Sequence, residues 1–274
     1  MIKHWIITGD THGWVETRLG NIYRNMPECK PEETAVIILG DAGLNFWLNN
    51  SDKKHKRNSA GYGYTIYCVR GNHEERPENL GYALEYDPEV YGLIYQDPYY
   101  SNIKYLVDGG EYTIDNHSVL VIGGAYSIDK WYRLRRAEMA GQSFSGWFKD
   151  EQLTGAEMGD IWDKTANKHY DFVLTHTTAL DWEPVDLFLN GIDQSTVDKT
   201  MEVWLNDLKD HITWKIWLFG HYHADRIERP YVEQFYNEYE LLSTVWERWQ
   251  KYDETKELDW WIPMSPTMKE ILNG

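Results

Sequence analysis

Five short apolar runs recur along the chain, and each one ends in glycine or polar residues. They lie at 4–8, 34–39, 64–69, 171–175 and 214–219. Runs of this length that are rich in β-branched and aromatic residues predict buried strands rather than amphipathic helices. Because polar side chains follow each run directly, we predict the core strands of an α/β protein with a site at their carboxyl ends.

Between these runs, apolar residues recur at helical spacing. The periodicity predicts helices over 14–26, near 150–168 and over 196–208, and Pro27 stops the first of them. The segment 46–64 is polar and rich in lysine in its middle. We therefore expect a helix and a loop on the surface there.

The remaining segments carry weaker patterns. Shorter strands of a second sheet are expected at 103–107, 111–114 and 119–122. The segment 76–100, rich in Pro, Gly, Tyr and acidic residues, is long enough to form a cap or lid over a site. An amphipathic helix followed by a tail with tryptophan and proline is expected within 230–274.

These patterns contain no internal repeat, low-complexity segment or clear linker. The chain has 274 residues with 42% hydrophobic content, which is ample for a sizeable core. We predict one domain over 1–229, with 76–100 as its cap or lid, and a C-terminal helix and aromatic tail over 230–274 that packs on the same domain.

Composition narrows the classes of function. The formal charge is −17, from 44 acidic against 27 basic residues, which repels polyanions and argues against a protein that coats nucleic acid. The cysteines, Cys29 and Cys68, lie in unrelated contexts and indicate neither a disulfide framework nor a thiolate zinc site. No leader pattern opens the chain and no apolar run approaches the length of a membrane span, so we expect a cytoplasmic protein. The aromatic content of 15% is most simply explained by core packing.

The polar side chains at the strand ends form one set when they are collected. Two aspartates, an asparagine and four histidines provide enough oxygen and nitrogen ligands for two transition-metal ions that share a carboxylate. A fifth histidine, His73, is left over. The seven candidate ligands are Asp10, His12, Asp41, Asn72, His176, His221 and His223.

The order of these motifs resembles that of the calcineurin-like metallophosphoesterases. The family pattern runs Asp-x-His, Gly-Asp, Gly-Asn-His-Glu, His and Gly-His-x-His, and this chain matches it at 9–13, 40–41, 71–74, 175–176 and 220–223. The resemblance covers roughly residues 1–225, so the predicted domain over 1–229 would be the catalytic domain. It implies an α/β four-layer metallophosphoesterase fold, in which two mixed β-sheets pack face to face with helices outside.

The resemblance also implies how the site works. One ion would be held by Asp10, His12 and His223 and the other by Asn72, His176 and His221, with Asp41 between them. The two divalent ions would lie about 3.5–4 Å apart and share a bridging hydroxide that attacks the phosphorus. Mn²⁺ is our first expectation, and Fe, Zn²⁺ and Ni²⁺ are also compatible with these ligands.

His73 lies beside a candidate ligand but is not one of the seven. The resemblance makes it the catalytic residue that protonates the leaving oxygen or steadies the charge of the transition state. Capping of the turn is the structural alternative. Asp41 joins it as a catalytic residue through its position between the ions.

Substrate contacts are less sharply indicated. Our candidates are Asn45, Arg76, Lys130 and Arg133. The guanidinium and ammonium groups of the three basic residues suit phosphate oxygens. Salt bridges within an acidic protein are an equal alternative for the basic ones.

The family spans several kinds of phosphoesterase. The protein phosphatases extend their second motif to Gly-Asp-x-Val-Asp-Arg-Gly, whereas this chain has Gly-Asp-Ala-Gly-Leu-Asn at 40–45. We therefore expect a phosphodiesterase or phosphatase for a small molecule or nucleotide, and neither a membrane nor extended nucleic acid as a partner. A phosphoprotein phosphatase or nuclease is the enzymatic alternative, and a catalytically silent metal-binding scaffold is the alternative from another class. The oligomeric state is left open.

Overall fold

The computed structural model describes residues 2–188, 194–229 and 231–255. The strands in this part of the chain are β1 (His4–Thr8), β2 (Thr34–Ile38), β3 (Thr65–Cys68), β4 (Ala83–Asp87), β5 (Gly92–Gln96), β6 (Ile103–Leu106), β7 (Gly110–Ile114), β8 (His117–Ile122), β9 (His169–Thr175), β10 (Thr213–Phe219), β11 (Arg226–Arg229), β12 (Val232–Gln234) and β13 (Tyr239–Leu241). The helices are α1 (Val15–Asn25), α2 (Asn50–Ala60), α3 (Lys130–Ala140), α4 (Gly155–Thr165), α5 (Thr200–His211) and α6 (Leu242–Thr255).

The described strands form two mixed sheets. The first has seven strands in the order β13-β1-β2-β3-β6-β5-β4, in which β1, β2, β3 and β6 run parallel. The second has six strands in the order β11-β12-β10-β9-β8-β7, and β8, β9, β10 and β12 run parallel. The remaining neighbours in each sheet are antiparallel.

Side-chain alternation along the strands divides the core into layers. Ile7 and Ile37 of the first sheet share a buried cluster with Leu174 and Leu218 of the second, so the two sheets pack face to face. On the outer face of the first sheet, Ile6 and Val36 join a cluster with Leu19 and Ile22 of α1. Residues of α4 and α5 cover the outer face of the second sheet in the same way. The predicted layering of helices, two sheets and helices is confirmed.

Two segments differ from the sequence-based expectation. The stretch 76–100 was expected as a cap or lid, but it carries β4 and β5, an antiparallel pair that extends the first sheet at its edge. The strand expected at 103–107 was assigned to the second sheet, yet β6 pairs with β3 in the first. Sequence periodicity gives the strands but not their neighbours, because pairing is decided by packing far from the strand itself.

Residues 231–255 pack on the same two sheets. Strand β13 pairs antiparallel with β1, and Leu242 and Val245 of α6 lie in the core between the sheets. Arg248 of α6 forms ion pairs with Glu233 at 3.0 Å and Glu240 at 2.5 Å. The aromatic tail predicted beyond α6 lies outside the described residues.

Candidate active site

The carboxyl ends of the parallel strands from both sheets meet at one place. Asp10 follows β1, Asp41 follows β2 and Asn72 follows β3, while His176 follows β9 and His221 follows β10. Carboxyl ends of strands are where open α/β sheets place their ligands. All seven candidate ligands therefore reach one site from opposite sheets.

The first group of candidate ligands is Asp10, His12 and His223. The Nε2 atoms of His12 and His223 lie 2.8 Å apart, and Oδ2 of Asp10 lies 3.9 Å from the former and 3.4 Å from the latter. Their ligand atoms are close enough to converge on a single ion. This is the trio that the resemblance assigned to one metal.

The second group is built around His176. Its Nε2 atom lies 2.8 Å from Oδ1 of Asn72 and 3.6 Å from Oδ1 of Asp41. The His221 ring packs against the His176 ring with centroids 5.0 Å apart. The other oxygen of Asp41, Oδ2, lies 3.8 Å from Nδ1 of His12, so Asp41 lies between the two groups.

Several features show that these residues fit a pair of metal ions. Oδ2 of Asp10 is buried and has no hydrogen-bond partner in the described part of the chain. A buried carboxylate oxygen is rarely left unpaired, because it loses its hydration without compensation. Asp10 also reaches the second group, with its ligand atom near those of Asp41 and His176. Imidazole, carboxylate and amide donors together suit first-row transition metals.

The backbone at the site is held in an uncommon conformation. Four candidate ligands have positive φ angles: 45° at His12, 48° at Asp41, 69° at His221 and 53° at His223. Such angles are uncommon for residues other than glycine and cluster at functional sites. They turn successive side chains toward one point, which a regular strand end cannot do.

In three of the motifs a glycine precedes a candidate ligand, and a larger residue there would clash with another ligand. A Cβ atom at Gly40 would lie 2.0 Å from Nδ1 of His176, and one at Gly71 would lie 2.0 Å from Oδ1 of Asp41. At Gly220 it would lie 2.4 Å from Oδ1 of Asp10. Each glycine thus leaves room for a ligand that arrives from another strand.

Hydrogen bonds from neighbouring groups fix the orientation of the ligands. Ser127 accepts from Nδ2 of Asn72 at 2.8 Å and donates to Oε2 of Glu151 at 2.5 Å, which turns Oδ1 of Asn72 toward His176. Nδ1 of His176 lies 2.8 Å from the carbonyl oxygen of Leu39. Such partners are typical of metal sites, where they set the tautomer and the ring orientation. Sequence reasoning missed Ser127 and Glu151, which carry no motif.

Burial and charge set the protonation of the ligands. Burial alone would raise the pKa of Asp41, but His73 and His176 hold that pKa well below its usual range. Burial, helped by the charge on His176, lowers the pKa of His221 well below its usual range. Burial opposes a charge on His176, yet Asp41 and Asp10 raise its pKa to about 9. These shifts favour the deprotonated forms of Asp41 and His221, which are the forms that bind metal, whereas a protonated His176 would have to lose its proton to hold an ion.

His73 lies beside the ligands with Arg133 next to it. The backbone N–H of His73 donates to Oδ1 of Asp41 at 2.8 Å, and its Nε2 lies 3.5 Å from Nη2 of Arg133. Arg133 is fixed by Asp129, which accepts from its Nε at 2.7 Å, and by the carbonyl of Gly146. Burial lowers the pKa of His73, although Asp41 opposes the shift. His73 and Arg133 both line the cleft above the site.

The other three expected substrate contacts, Asn45, Arg76 and Lys130, lie outside the lining of this cleft. Asn45 is buried and accepts from Lys56 at 2.6 Å and from Tyr82 at 3.0 Å. Arg76 is paired with Glu157 at 2.5 Å. Lys130 begins α3, and its Nζ stacks 4.3 Å from the centre of the Trp147 ring. None of the three is among the residues that line the cleft above the ligands.

The cleft itself has a volume of about 510 Å³ and extends well past the ligands. One wall comes from 126–133 and another from the described parts of 183–202. No sequence pattern indicated the second wall, because its residues follow no motif and reach the site only through the fold.

Comparison with known proteins places the chain in a family. Residues 4–225 match the family model described as Calcineurin-like phosphoesterase, and the chain belongs to that family. It is therefore a metallophosphoesterase, an enzyme that hydrolyses phosphoesters at a dinuclear centre of divalent metals. The match confirms the family that the order of the motifs indicated.

The other comparisons with known proteins give less information about this chain. A solved structure entitled "The crystal structure of Phosphopantetheinyl Hydrolase (PptH) from Mycobacterium tuberculosis" is similar at 12% identity and a TM-score of 0.42, over 94% of each chain. No curated protein matches the sequence. Among the described residues, no helix is long and apolar enough to cross a membrane.

Proposed function

We propose that the protein hydrolyses a phosphoester of a small organic molecule, with nucleotides or cyclic nucleotides as the leading substrates. The observation that carries the proposal is the arrangement at the floor of the cleft. Seven metal-ligand candidates, His73 and Arg133 converge there from both sheets, and the cleft above them is large enough for an organic group.

Charge supports a small substrate over a polymer. Besides the ligands, the cleft is lined by the acidic residues Asp129, Glu183, Asp198 and Glu202, and its basic lining residues are Arg133 and Lys199. Lys199 is paired with Glu183 at 2.5 Å. Arg133 is also ion-paired, through its Nε with Asp129 at 2.7 Å, but its Nη2 lies 3.5 Å from Nε2 of His73. We therefore take Arg133 as the cation for a phosphate next to His73, while the surrounding acids and the charge of −17 repel an extended polyanion.

Each residue then has a role. One ion would be held by Asp10, His12 and His223. The other ion would be held by Asn72, His176 and His221, and Asp41 would contribute to both. When bound, two divalent ions supply a water of lowered pKa and positive charge for the phosphoryl oxygens. Arg133 would bind a phosphate oxygen, and His73 would donate a proton to the leaving oxygen. We propose Mn²⁺ as the first metal to test, followed by Fe, Zn²⁺ and Ni²⁺.

Cellular location is also a proposal. Cys29 and Cys68 are both buried and unpaired. Free thiols persist in reducing compartments, which supports a cytoplasmic protein.

The test compares two chromogenic esters. Protein stripped of metal by a chelator is assayed with bis-p-nitrophenyl phosphate and with p-nitrophenyl phosphate, before and after addition of Mn²⁺, and Asp41→Asn is the blank. Hydrolysis that requires metal and is lost in Asp41→Asn supports the proposal, and the faster ester decides between diester and monoester. No hydrolysis of either ester, or of a nucleotide panel, with any of the four metals would overturn it.

A further inference from the structure

Asn72 is the single amide among the seven candidate metal ligands, and the two ends of its side chain have opposite chemistry. Oδ1 is an acceptor that is able to bind a divalent ion, whereas the N–H₂ group at Nδ2 only donates. A half-turn about the last side-chain bond exchanges these ends. Whatever fixes the amide therefore decides whether the ion assigned to Asn72, His176 and His221, which we call the second ion, keeps this ligand.

The amide orientation in the structure places the oxygen in the site. Oδ1 of Asn72 lies 2.8 Å from Nε2 of His176, and Nδ2 donates to the hydroxyl of Ser127, also at 2.8 Å. Asn72 is 1% exposed and Ser127 is 2% exposed. Because both groups are buried, the protein rather than bulk water decides the partner of Nδ2.

The hydroxyl of Ser127 does not set this direction by itself, because a hydroxyl both donates and accepts. With its proton turned toward Asn72, the hydroxyl would donate to Oδ1 and would favour the reverse orientation of the amide. Another group must therefore hold that proton. Among the described residues, the other hydrogen-bond partner of this hydroxyl is Oε2 of Glu151, at 2.5 Å.

Glu151 is able to hold the proton because an ionised carboxylate accepts and never donates. Its other oxygen, Oε1, accepts from the backbone N–H of Ser127 at 3.2 Å, so both oxygens are fixed on the same residue. Glu151 is buried, and its backbone carbonyl accepts from Nη1 of Arg70 at 2.7 Å. The carboxylate is thus held in place from both ends of the residue.

We propose that Glu151 is a positioning residue for the second ion, and that it acts through the hydroxyl of Ser127 to keep Oδ1 of Asn72 turned toward the metal. This relay depends on the acceptor-only character of the carboxylate and not on its shape. The inference rests on the proposed function, since it takes Asn72 as a ligand of the second ion.

Glu151→Gln tests the relay, because it keeps the shape of the side chain and introduces a donor. The backbone N–H of Ser127 requires an acceptor, so the new amide oxygen takes the place of Oε1 and the N–H₂ group faces the hydroxyl. The hydroxyl proton is then released toward Asn72. Either the Asn72 amide turns and the second ion loses its oxygen ligand, or the proton stays buried without a partner. Both outcomes weaken binding of the second ion.

The test measures binding of Mn²⁺ rather than turnover. The metal-stripped full chain is titrated at about pH 8, because burial raises the pKa of Glu151 and protonation would make it a donor. Free Mn²⁺ is followed by electron paramagnetic resonance. We expect two ions to bind to each wild-type chain. In Glu151→Gln one ion should bind about 10–100-fold more weakly, and the affinity for the other should be unchanged.

Ser127→Ala separates the relay from simple packing. It removes the hydroxyl, so Nδ2 of Asn72 lacks an acceptor whether or not the ion is bound, and most of that cost cancels in the affinity. The second ion should therefore bind more tightly to Ser127→Ala than to Glu151→Gln. The double variant should match Ser127→Ala, because no hydroxyl is left to reverse. A packing role of Glu151 predicts instead that the isosteric Gln is the milder change and that the two losses add.

Glu157→Gln is the matched control. Glu157 also accepts from the backbone N–H and the hydroxyl of one residue, Thr154, but those bonds cap helix α4, so the affinity for both ions should equal that of the wild type. Circular-dichroism melting of all variants excludes misfolding as the cause of weaker binding. The inference would be overturned by wild-type affinity in Glu151→Gln, by equal weakening of both ions, or by additive losses in the double variant.

The titration and the ester assay together separate this inference from the proposed function. The expected order of affinities in a protein that hydrolyses no phosphoester would support the inference and overturn the proposed function. Metal-dependent hydrolysis with equal Mn²⁺ affinities in all variants would do the reverse. A wild-type chain that binds no divalent ion would overturn both.

Discussion

The backbone N–H of His73 donates to Oδ1 of Asp41 at 2.8 Å, and Nε2 of the same histidine lies 3.8 Å from Oδ2 of Asp41. The bond fixes the loop after β3 against the carboxylate that lies between the two ligand groups. Asp41 therefore positions the imidazole as well as contributing to the metal centre. The two residues nevertheless have separable roles, because the His73 ring is not within either ligand group.

Replacing His73 by Ala should lower kcat by about 10²–10⁴-fold, the usual contribution of a general acid. The backbone hydrogen bond to Asp41 does not need the side chain, so metal content should stay near normal. Steady-state kinetics with both p-nitrophenyl esters and metal analysis by mass spectrometry check this. Asp41→Asn provides the contrast, since it should lose metal and activity together. Unchanged kcat in His73→Ala would show that the histidine only caps the turn.

Replacing Arg133 by Lys should lower kcat/KM by about 10–100-fold, because it keeps the charge but loses the planar guanidinium that Asp129 and Gly146 hold beside His73. Lys130→Gln is the matched control on the same helix. Its ammonium stacks on Trp147 and does not line the cleft, so kcat/KM should not change. A larger loss in Lys130→Gln than in Arg133→Lys would reverse our assignment of the phosphate contact.

Replacing Gly40 by Ala should reduce both stability and metal content. Gly40 has a φ of 91°, and a Cβ atom there would lie 2.0 Å from Nδ1 of His176. Backbone strain alone costs about 1–3 kcal/mol, and His176 must also move. Thermal unfolding and metal analysis measure the two effects. Gly159→Ala in α4, where an added Cβ meets no atom, should instead raise the unfolding free energy by about 0.5–1 kcal/mol.

Stability should depend on pH through His117, which packs between strand β9 and helix α6. Its ring lies 4.1 Å from Trp246 and 5.3 Å from Phe172. Burial lowers its pKa, while the neighbouring Asp171 and Asp115 oppose the shift and Lys215 adds to it. A histidine whose pKa is lowered in the folded protein contributes its full stabilisation at pH values above the ordinary histidine pKa of about 6.5. This contribution is lost as the pH falls through the lowered pKa.

The measurement is urea unfolding of metal-stripped protein at a series of pH values below about 7. His117→Phe keeps an aromatic ring against Trp246 and cannot be protonated, so its stability should fall less steeply on acidification than that of the wild type. His169→Gln, which removes an exposed histidine from the same strand pair, should follow the wild-type curve. Parallel curves for His117→Phe and wild type would contradict the role assigned to His117.

How far the sequence predicts this protein depends on the range of the interaction concerned. The apolar runs predicted β1, β2, β3, β9 and β10, because burial of a strand on both faces leaves a local signature. The hairpin of β4 and β5 was interpreted as part of a lid because 76–100 is rich in Pro, Gly, Tyr and acidic residues. Its strands expose Leu84, Tyr86 and Leu93 at the edge of the sheet, so they lack the continuous apolar run of a buried strand. Helix α3 was missed because its basic and aromatic residues follow no clear apolar face.

For the site, the sequence by itself determined which residues gather at the strand ends. Metal ligation requires particular side chains next to glycine, and these residues are adjacent in sequence. The short motifs Gly-Asp, Gly-Asn-His and Gly-His-x-His therefore reveal them. The tertiary structure alone decided that Arg133 meets His73, that Lys130 and Arg76 do not reach the cleft, and that Glu183 and Glu202 line it. These outcomes depend on which partner each charged side chain finds across the fold, and electrostatic pairing between distant segments leaves no pattern along the chain.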